Sequence, residues 1–243
     1  MEPTPEYFEM IDGGEHNPYH FLFYMLSNFL ITDVNKKLIY YYPNKKDCKV
    51  SEGFLQLLPP NFIRHTTKEP GIDYRPFIST IPIFVDVAIP QSYHLVRHLY
   101  RNYMAPELKT GKSIYIQRKP GESRTFINEK DVQCLLESNG YETIVLENYE
   151  IKEQIRIVSE AEYIIGAHGA GFAFTVFCNP AAKVIEICGK NNNVSKHYYH
   201  IACVLGHRFF RFQDVIINED DNTLVNVKEL DAFLKLWHCS QLF

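Results

Sequence analysis

No apolar run in this sequence is long enough to cross a bilayer. The longest, residues 21–31, is broken by Ser27 and Asn28, whereas a membrane helix needs about 20 predominantly apolar residues. The opening stretch MEPTPEYFEMIDGG is acidic and lacks a basic n-region, so no secretory signal is expected. A large excess of either charge is also absent, with 25 basic against 29 acidic residues. A net charge of −4 argues against the basic surface of a general nucleic-acid binder. No two of the six cysteines form a C-x-x-C pair. Buried reduced thiols are expected rather than disulfides or zinc, which favours a cytoplasmic setting without fixing the compartment. His197, His200 and Cys203 fall at helical spacing, but no fourth ligand is near and no metal is expected. Internal repeats and low-complexity segments are absent. So is the G-x-S-x-G elbow of an α/β-hydrolase, which leaves little support for hydrolysis at a histidine.

What the sequence does have is core material. Of its 243 residues, 46% are hydrophobic and 14% aromatic, enough for one large domain or two small ones. The most informative stretch is 161–189, AEYIIGAHGAGFAFTVFCNPAAKVIEICG. Its two apolar runs, 163–166 and 183–188, lack polar alternation, as parallel strands covered on both faces do. Between them lie Gly166, His168, Gly169 and Gly171, then an apolar segment over 172–177 closed by Asn179-Pro180. This G-x-x-G-x-G is not the dinucleotide fingerprint, and no carboxylate follows at the ribose spacing. A glycine cluster after a strand still lets main-chain N–H groups approach a ligand, and the next helix start favours an anion. That carboxyl edge is where open α/β sheets bind their ligands.

Taken in order, residues 1–16 read as a loop. Asn17 caps and Pro18 opens an apolar helix to about 31. Residues 37–42 read as a strand, 51–58 as a short helix, 62–65 and 77–88 as extended segments, and 91–104 as a helix. The clearest break in composition is 105–111, which sets a lobe boundary of 1–106 and 107–243. Beyond it the pattern is regular: strands at 113–117, 143–146, 163–166, 183–188 and 208–212, with helices at 128–139, 150–159 and 195–205 between them. Asn128 is a candidate cap for its helix. Residues 218–221 read as a turn, and 227–237 as a terminal helix able to pack back on the first lobe. The alternation predicts an α/β fold with a doubly wound parallel sheet.

Arg118 and Arg124 bracket the loop after the strand at 113–117. In a parallel sheet that loop shares an edge with His168. Two guanidinium forks and glycine-turn amides on one edge suit a pyrophosphate. Glu186 sits mid-strand among apolar neighbours, so it must be partnered. A ribose diol and an internal arginine are equally good candidates.

The combination of Arg118, Arg124 and Asn128-Glu129 with IIGAHGAG, Asn179-Pro180 and VIEI resembles glycosyltransferase family 61. That family includes plant β1,2-xylosyltransferases and animal O-linked N-acetylglucosaminyltransferases. The resemblance covers about 112–212 and reaches the first lobe at Asn17-Pro-Tyr-His20, which looks like the family's N-x-x-H helix start. It implies a compact GT-B architecture, two Rossmann-like lobes with a cleft between them. It further implies an inverting, metal-independent enzyme that takes a nucleotide sugar, commonly UDP-linked, as substrate and needs no cofactor. The acceptor would be a glycan or glycoprotein hydroxyl. By the same resemblance, Arg118 and Arg124 would hold the donor phosphates. The turn of His168, Gly169, Ala170 and Gly171 would lie against the nucleotide, and Glu186 would hold the ribose. Asn17 and His20 would line the acceptor side.

One position departs from the family pattern. Where a carboxylate is expected four residues after the histidine, this chain has Tyr24. A phenol of ordinary pKa near 10 is a poor base at neutral pH, and inverting transfer needs one. Glu15, His16 or His20 stand close enough in sequence to substitute. The alternatives are a different acceptor, or a chain that binds the donor without transferring it.

Overall fold

The computed structural model describes residues 17–26, 38–40, 49–58, 63–65, 90–106, 111–119, 121, 124–189, 195–218 and 222–239. Helix α1 (Pro18–His20) starts as the sequence predicts. The Asn17 side chain accepts from the Tyr19 N–H at 2.9 Å, and Pro18 occupies the first helical position. The helix then widens into π-helical turns over Phe21–Leu26. Strands β1 (Leu38–Tyr40) and β2 (Ile63–His65) form a separate parallel pair. Helices α2 (Lys49–Gln56) and α3 (Pro90–Tyr100) complete the described first half. The extended segment expected at 77–88 lies outside the described residues.

The second half is a parallel sheet of five strands in the order β4-β3-β5-β6-β7. The strands are β3 (Lys112–Ile116), β4 (Tyr141–Ile144), β5 (Ala161–Ala167), β6 (Lys183–Ile187) and β7 (Arg208–Phe212). Helices α4 (Glu129–Ser138), α5 (Ile151–Ser159) and α6 (His197–Leu205) alternate with them. Between β5 and β6 the chain makes a 3₁₀ segment, Ala170–Phe177, where the sequence had suggested a helix. Strand order reverses between β3 and β5, because β4 lies on one side of β3 and all later strands lie on the other. This is the topological switch point of a doubly wound sheet, and ligands lodge outside the strand ends there.

Side chains alternate across the sheet with period two. Ile114, Ile164 and Val184 enter one core, while Tyr115, Ile165 and Ile185 enter the other. The first core also holds the first-half helices. Tyr19, Phe23, Phe54, Tyr93 and Tyr100 are all buried there beside Phe174 and Phe177 of the 3₁₀ segment. Phe54 stacks on Phe174 at 5.5 Å, and the Tyr100 hydroxyl donates to the Phe54 carbonyl at 3.1 Å. Each such ring contributes roughly 1.5–3 kcal/mol by leaving water. The second core is closed by α4 and the terminal helix α7 (Val227–Cys239). Leu230 and Leu234 of α7 are buried in that layer.

Two short strands escaped the sequence reading. β8 (Val215–Ile217) and β9 (Thr223–Val225) form an antiparallel hairpin around the expected turn. It anchors the segment after Arg124. The Thr223 N–H donates to the Thr125 carbonyl at 2.9 Å, and the Ile127 N–H donates to the Thr223 carbonyl at 2.8 Å. Asn128 stands at the N-cap position of α4, but its side chain does not cap the helix. Its side-chain amide donates to the Val225 carbonyl at 2.9 Å, and its oxygen accepts from the Val225 N–H at 3.0 Å. Thus it bonds β9 as a neighbouring strand would. Among the described residues no helix is long and apolar enough to cross a membrane.

Candidate functional site

At the switch point, β3 delivers Arg118 and β5 delivers the turn of His168 and Gly169. Arg118 Nη1 donates to the His168 carbonyl at 3.4 Å. Gly169 has extended backbone, so its lack of a side chain serves space and not conformation. A Cβ there would lie 1.9 Å from Arg118 Nη1. The guanidinium therefore occupies the volume that any other residue would fill. Gly166 and Gly171 are spaced for packing: a Cβ at Gly166 would meet the Ile116 carbonyl oxygen at 2.6 Å, and one at Gly171 would meet Ile116 Cγ2 at 3.3 Å. Ala170 opens the 3₁₀ segment beside them.

Behind the turn lies a charged relay. The His168 imidazole bonds Glu186 Oε1 through Nδ1. Glu186 Oε2 accepts from Arg211 Nε at 2.7 Å, and Arg211 also donates to the Ser195 carbonyl at 3.2 Å. The Glu186 side chain has no exposure, whereas that of His168 is 13% exposed. Both Glu186 oxygens are thus held by protein groups. Of the two partners the sequence left open, the internal one is present. Register explains the pairing: Glu186 stands directly beside Arg211 on neighbouring strands. Sequence reasoning missed Arg211, since only the β6–β7 pairing brings it to Glu186.

Tyr198 covers the relay. Its ring lies 5.2 Å from that of His168 and 6.0 Å from that of Tyr19. Burial pushes its phenol far above the ordinary value, and Glu186 adds to this, while the Arg124 and Arg118 guanidiniums oppose it. Both arginines are therefore within electrostatic reach of one buried hydroxyl. Arg124 adopts a left-handed backbone with φ of 62°, which for a side chain of this kind costs on the order of 1 kcal/mol.

The glycosyltransferase 61 family profile matches residues 15–185. The chain belongs to the glycosyltransferase 61 family. A stretch of 37 residues, 15% of the chain, is 51% identical to a beta-1,2-xylosyltransferase of Oryza sativa subsp. japonica. That stretch spans 7% of the rice protein's length. In this glycosyltransferase 61 chain the matched span takes in Arg118, Arg124 and the glycine turn, and ends one residue before Glu186.

The first-half candidates are drawn towards the same place. Tyr19 stacks on His197 at 4.2 Å, so the helix start of Asn17 and the partly exposed His20 neighbours Tyr198. The Asn17 side-chain oxygen caps the helix. Glu15, His16 and the Tyr24 side chain lie outside the described residues. Asn128-Glu129 of the family pattern serves the scaffold: Glu129 accepts from the Tyr115 hydroxyl, and from Gln117 Nε2 at 3.0 Å. Chemically, the edge combines guanidiniums, glycine-turn amides and an imidazole backed by a buried carboxylate. Such a set suits an oxyanion-rich ligand.

Proposed function

We propose that this chain is an inverting glycosyltransferase that moves a sugar from a nucleotide sugar, UDP-linked, to a hydroxyl of a glycan or protein. The observation that carries the reading is Arg118 lodged against Gly169 at the switch point of a family-61 sheet. Arg118 and Arg124 bind the diphosphate, and their charge offsets that of the leaving group without a metal ion. His168, oriented by Glu186 and Arg211, bonds the donor beside them. The acceptor oxygen attacks the anomeric carbon, its proton passes to a base, and the nucleoside diphosphate departs. Glu15, His16 and His20, at the helix start near Tyr198, are the candidates for that base, with Asn17 and Tyr24 on the acceptor side. Two Rossmann-like lobes, with the first half as the acceptor side, are the architecture that fits this division of labour.

Incubation with a panel of nucleotide sugars, read by transfer and by release of nucleoside diphosphate, tests the reading. Expected are turnover with one donor and thermal stabilisation by its diphosphate. Neither effect with any nucleotide would end the proposal. Tyr24 in place of a carboxylate favours one other reading, a chain that binds the donor and transfers nothing. Nucleotide binding with no turnover on any acceptor would select it.

A further inference from the structure

The relay residue Arg211 has a second environment. On its outer side it lines a cavity of about 350 Å³ together with Lys196, Tyr199, Phe209 and Phe210. This volume falls at the lower end of the range for small-ligand sites. The cavity lies between the first turn of α6 and β7, the last strand of the sheet. Tyr199 is 48% exposed and Phe210 40% exposed. The Tyr199 and Phe209 rings meet at 66° with centroids 5.9 Å apart. They form a corner that offers one aromatic face and one aromatic edge. The charged groups lining it are both cations, Lys196 and Arg211, and both are donors.

We infer that this corner is the subsite for the nucleobase of the donor. The inference rests on the nucleotide-sugar reading above. Three observations carry it. A flat ring with carbonyl oxygens at its rim matches an aromatic face beside a lysine donor, because every base has a π-face and stacks on such a ring. The corner also lies in line with the phosphate site: His168 follows β5, Glu186 is on β6 and Arg211 on β7, in adjacent order. From the β3/β5 switch point to β7 is two and a half strand spacings, roughly 12 Å. An extended nucleoside diphosphate spans that distance. Finally, Arg211 belongs to both places, so a base in the corner touches the residue that steadies Glu186 and His168.

Calorimetric titration of UDP and of inorganic pyrophosphate into the wild-type chain, Tyr199→Ala and Lys196→Met tests this. Both residues are exposed, so folding is not at stake. Pyrophosphate reads the arginine and glycine end alone, and UDP reads both ends. UDP is expected to bind wild type about ten-fold or more tighter than pyrophosphate, the gain of stacking one base. Tyr199→Ala should erase that margin and leave pyrophosphate binding unchanged. Lys196→Met should reduce it by a smaller factor. A full margin in both variants overturns the assignment. So does a neutral oligosaccharide that loses its binding in Tyr199→Ala while UDP keeps its own, which would give the corner to the acceptor. If wild type binds neither UDP nor pyrophosphate, the nucleotide-sugar reading itself fails, and the base site with it.

Discussion

At the carboxyl ends of the strands, Arg211 reaches His168 through the Glu186 carboxylate. At their amino ends, Arg97 of α3 acts on His207 directly. Arg97 Nη1 donates to the Val176 carbonyl at 2.6 Å and to the Cys178 carbonyl, which ties a first-half helix to the end of the 3₁₀ segment. His207 is 8% exposed, and burial with the nearby guanidinium pushes its imidazole down to about 4. One region keeps a histidine in contact with solvent and couples it to a buried charge. The other keeps a histidine neutral and uses its arginine as a fastener between halves. The same two residue types thus serve binding at one end of a sheet and cohesion at the other. What separates them is the carboxylate.

The largest expected effect breaks the first region. Arg211→Met leaves the unexposed Glu186 carboxylate without its guanidinium, and should cost about 3–5 kcal/mol in chemical denaturation. Combining it with Glu186→Ala should restore part of that loss, as coupled partners do. The second region should respond more mildly. Arg97→Met is expected to cost about 2–3 kcal/mol through the two carbonyls it abandons, with nucleotide affinity unchanged. A shift in nucleotide affinity as large as that of Arg118→Ala would erase the distinction between the two ends.

Smaller in stability, but decisive for the site, are Arg118→Ala and Gly169→Ala. Each should weaken nucleotide binding by about ten-fold or more, the value of a charge-assisted bond, with melting temperatures close to wild type. In Gly169→Ala the new methyl takes the space of a flexible guanidinium end. Gly166→Ala instead meets the Ile116 main chain, and should destabilise by about 1–3 kcal/mol. If both glycine variants behave alike, Arg118 is not what requires Gly169.

The smallest effect is a pH dependence in the cohesive region. The His207 imidazole moves from an ordinary 6.5 to about 4 on folding. Between those values the unfolded chain binds more protons, so stability is full above the upper one and declines as pH falls towards the lower. The loss at about pH 5.5 relative to pH 7 is about 1 kcal/mol. Arg97→Met should shallow this acid limb, since it removes one of the two causes. A limb of unchanged depth would assign the shift to burial alone.

Much of the second half was legible because its signals are local. Continuous apolar runs gave β3, β5 and β6, and amphipathic spacing gave α4, α5 and α6. The meeting of Arg118 with the glycine turn followed from both lying after parallel strands. What was hidden depends on pairing. β8 and β9 are three residues each, too short for a periodic signal. Arg211 reads as one more charge on an edge strand until β6–β7 register brings it to Glu186. Asn128 looked like a cap because Asn before a helix usually is one, yet its partner lies 97 positions away. Tyr19 is buried in the first core, and its ring also meets those of His197 and Tyr198. The carboxylate at Glu186 had two candidate partners in sequence, and strand order supplies the internal one.

Glu186 and Arg211 also guard the threading of the chain. They face each other across β6 and β7, and a slip of one position would turn both side chains to opposite faces of the sheet. A misaligned last strand would then leave the unexposed Glu186 carboxylate without its guanidinium. Correct zippering of that strand and arming of the histidine are accordingly a single event, and a truncated or mis-paired product would be left unarmed.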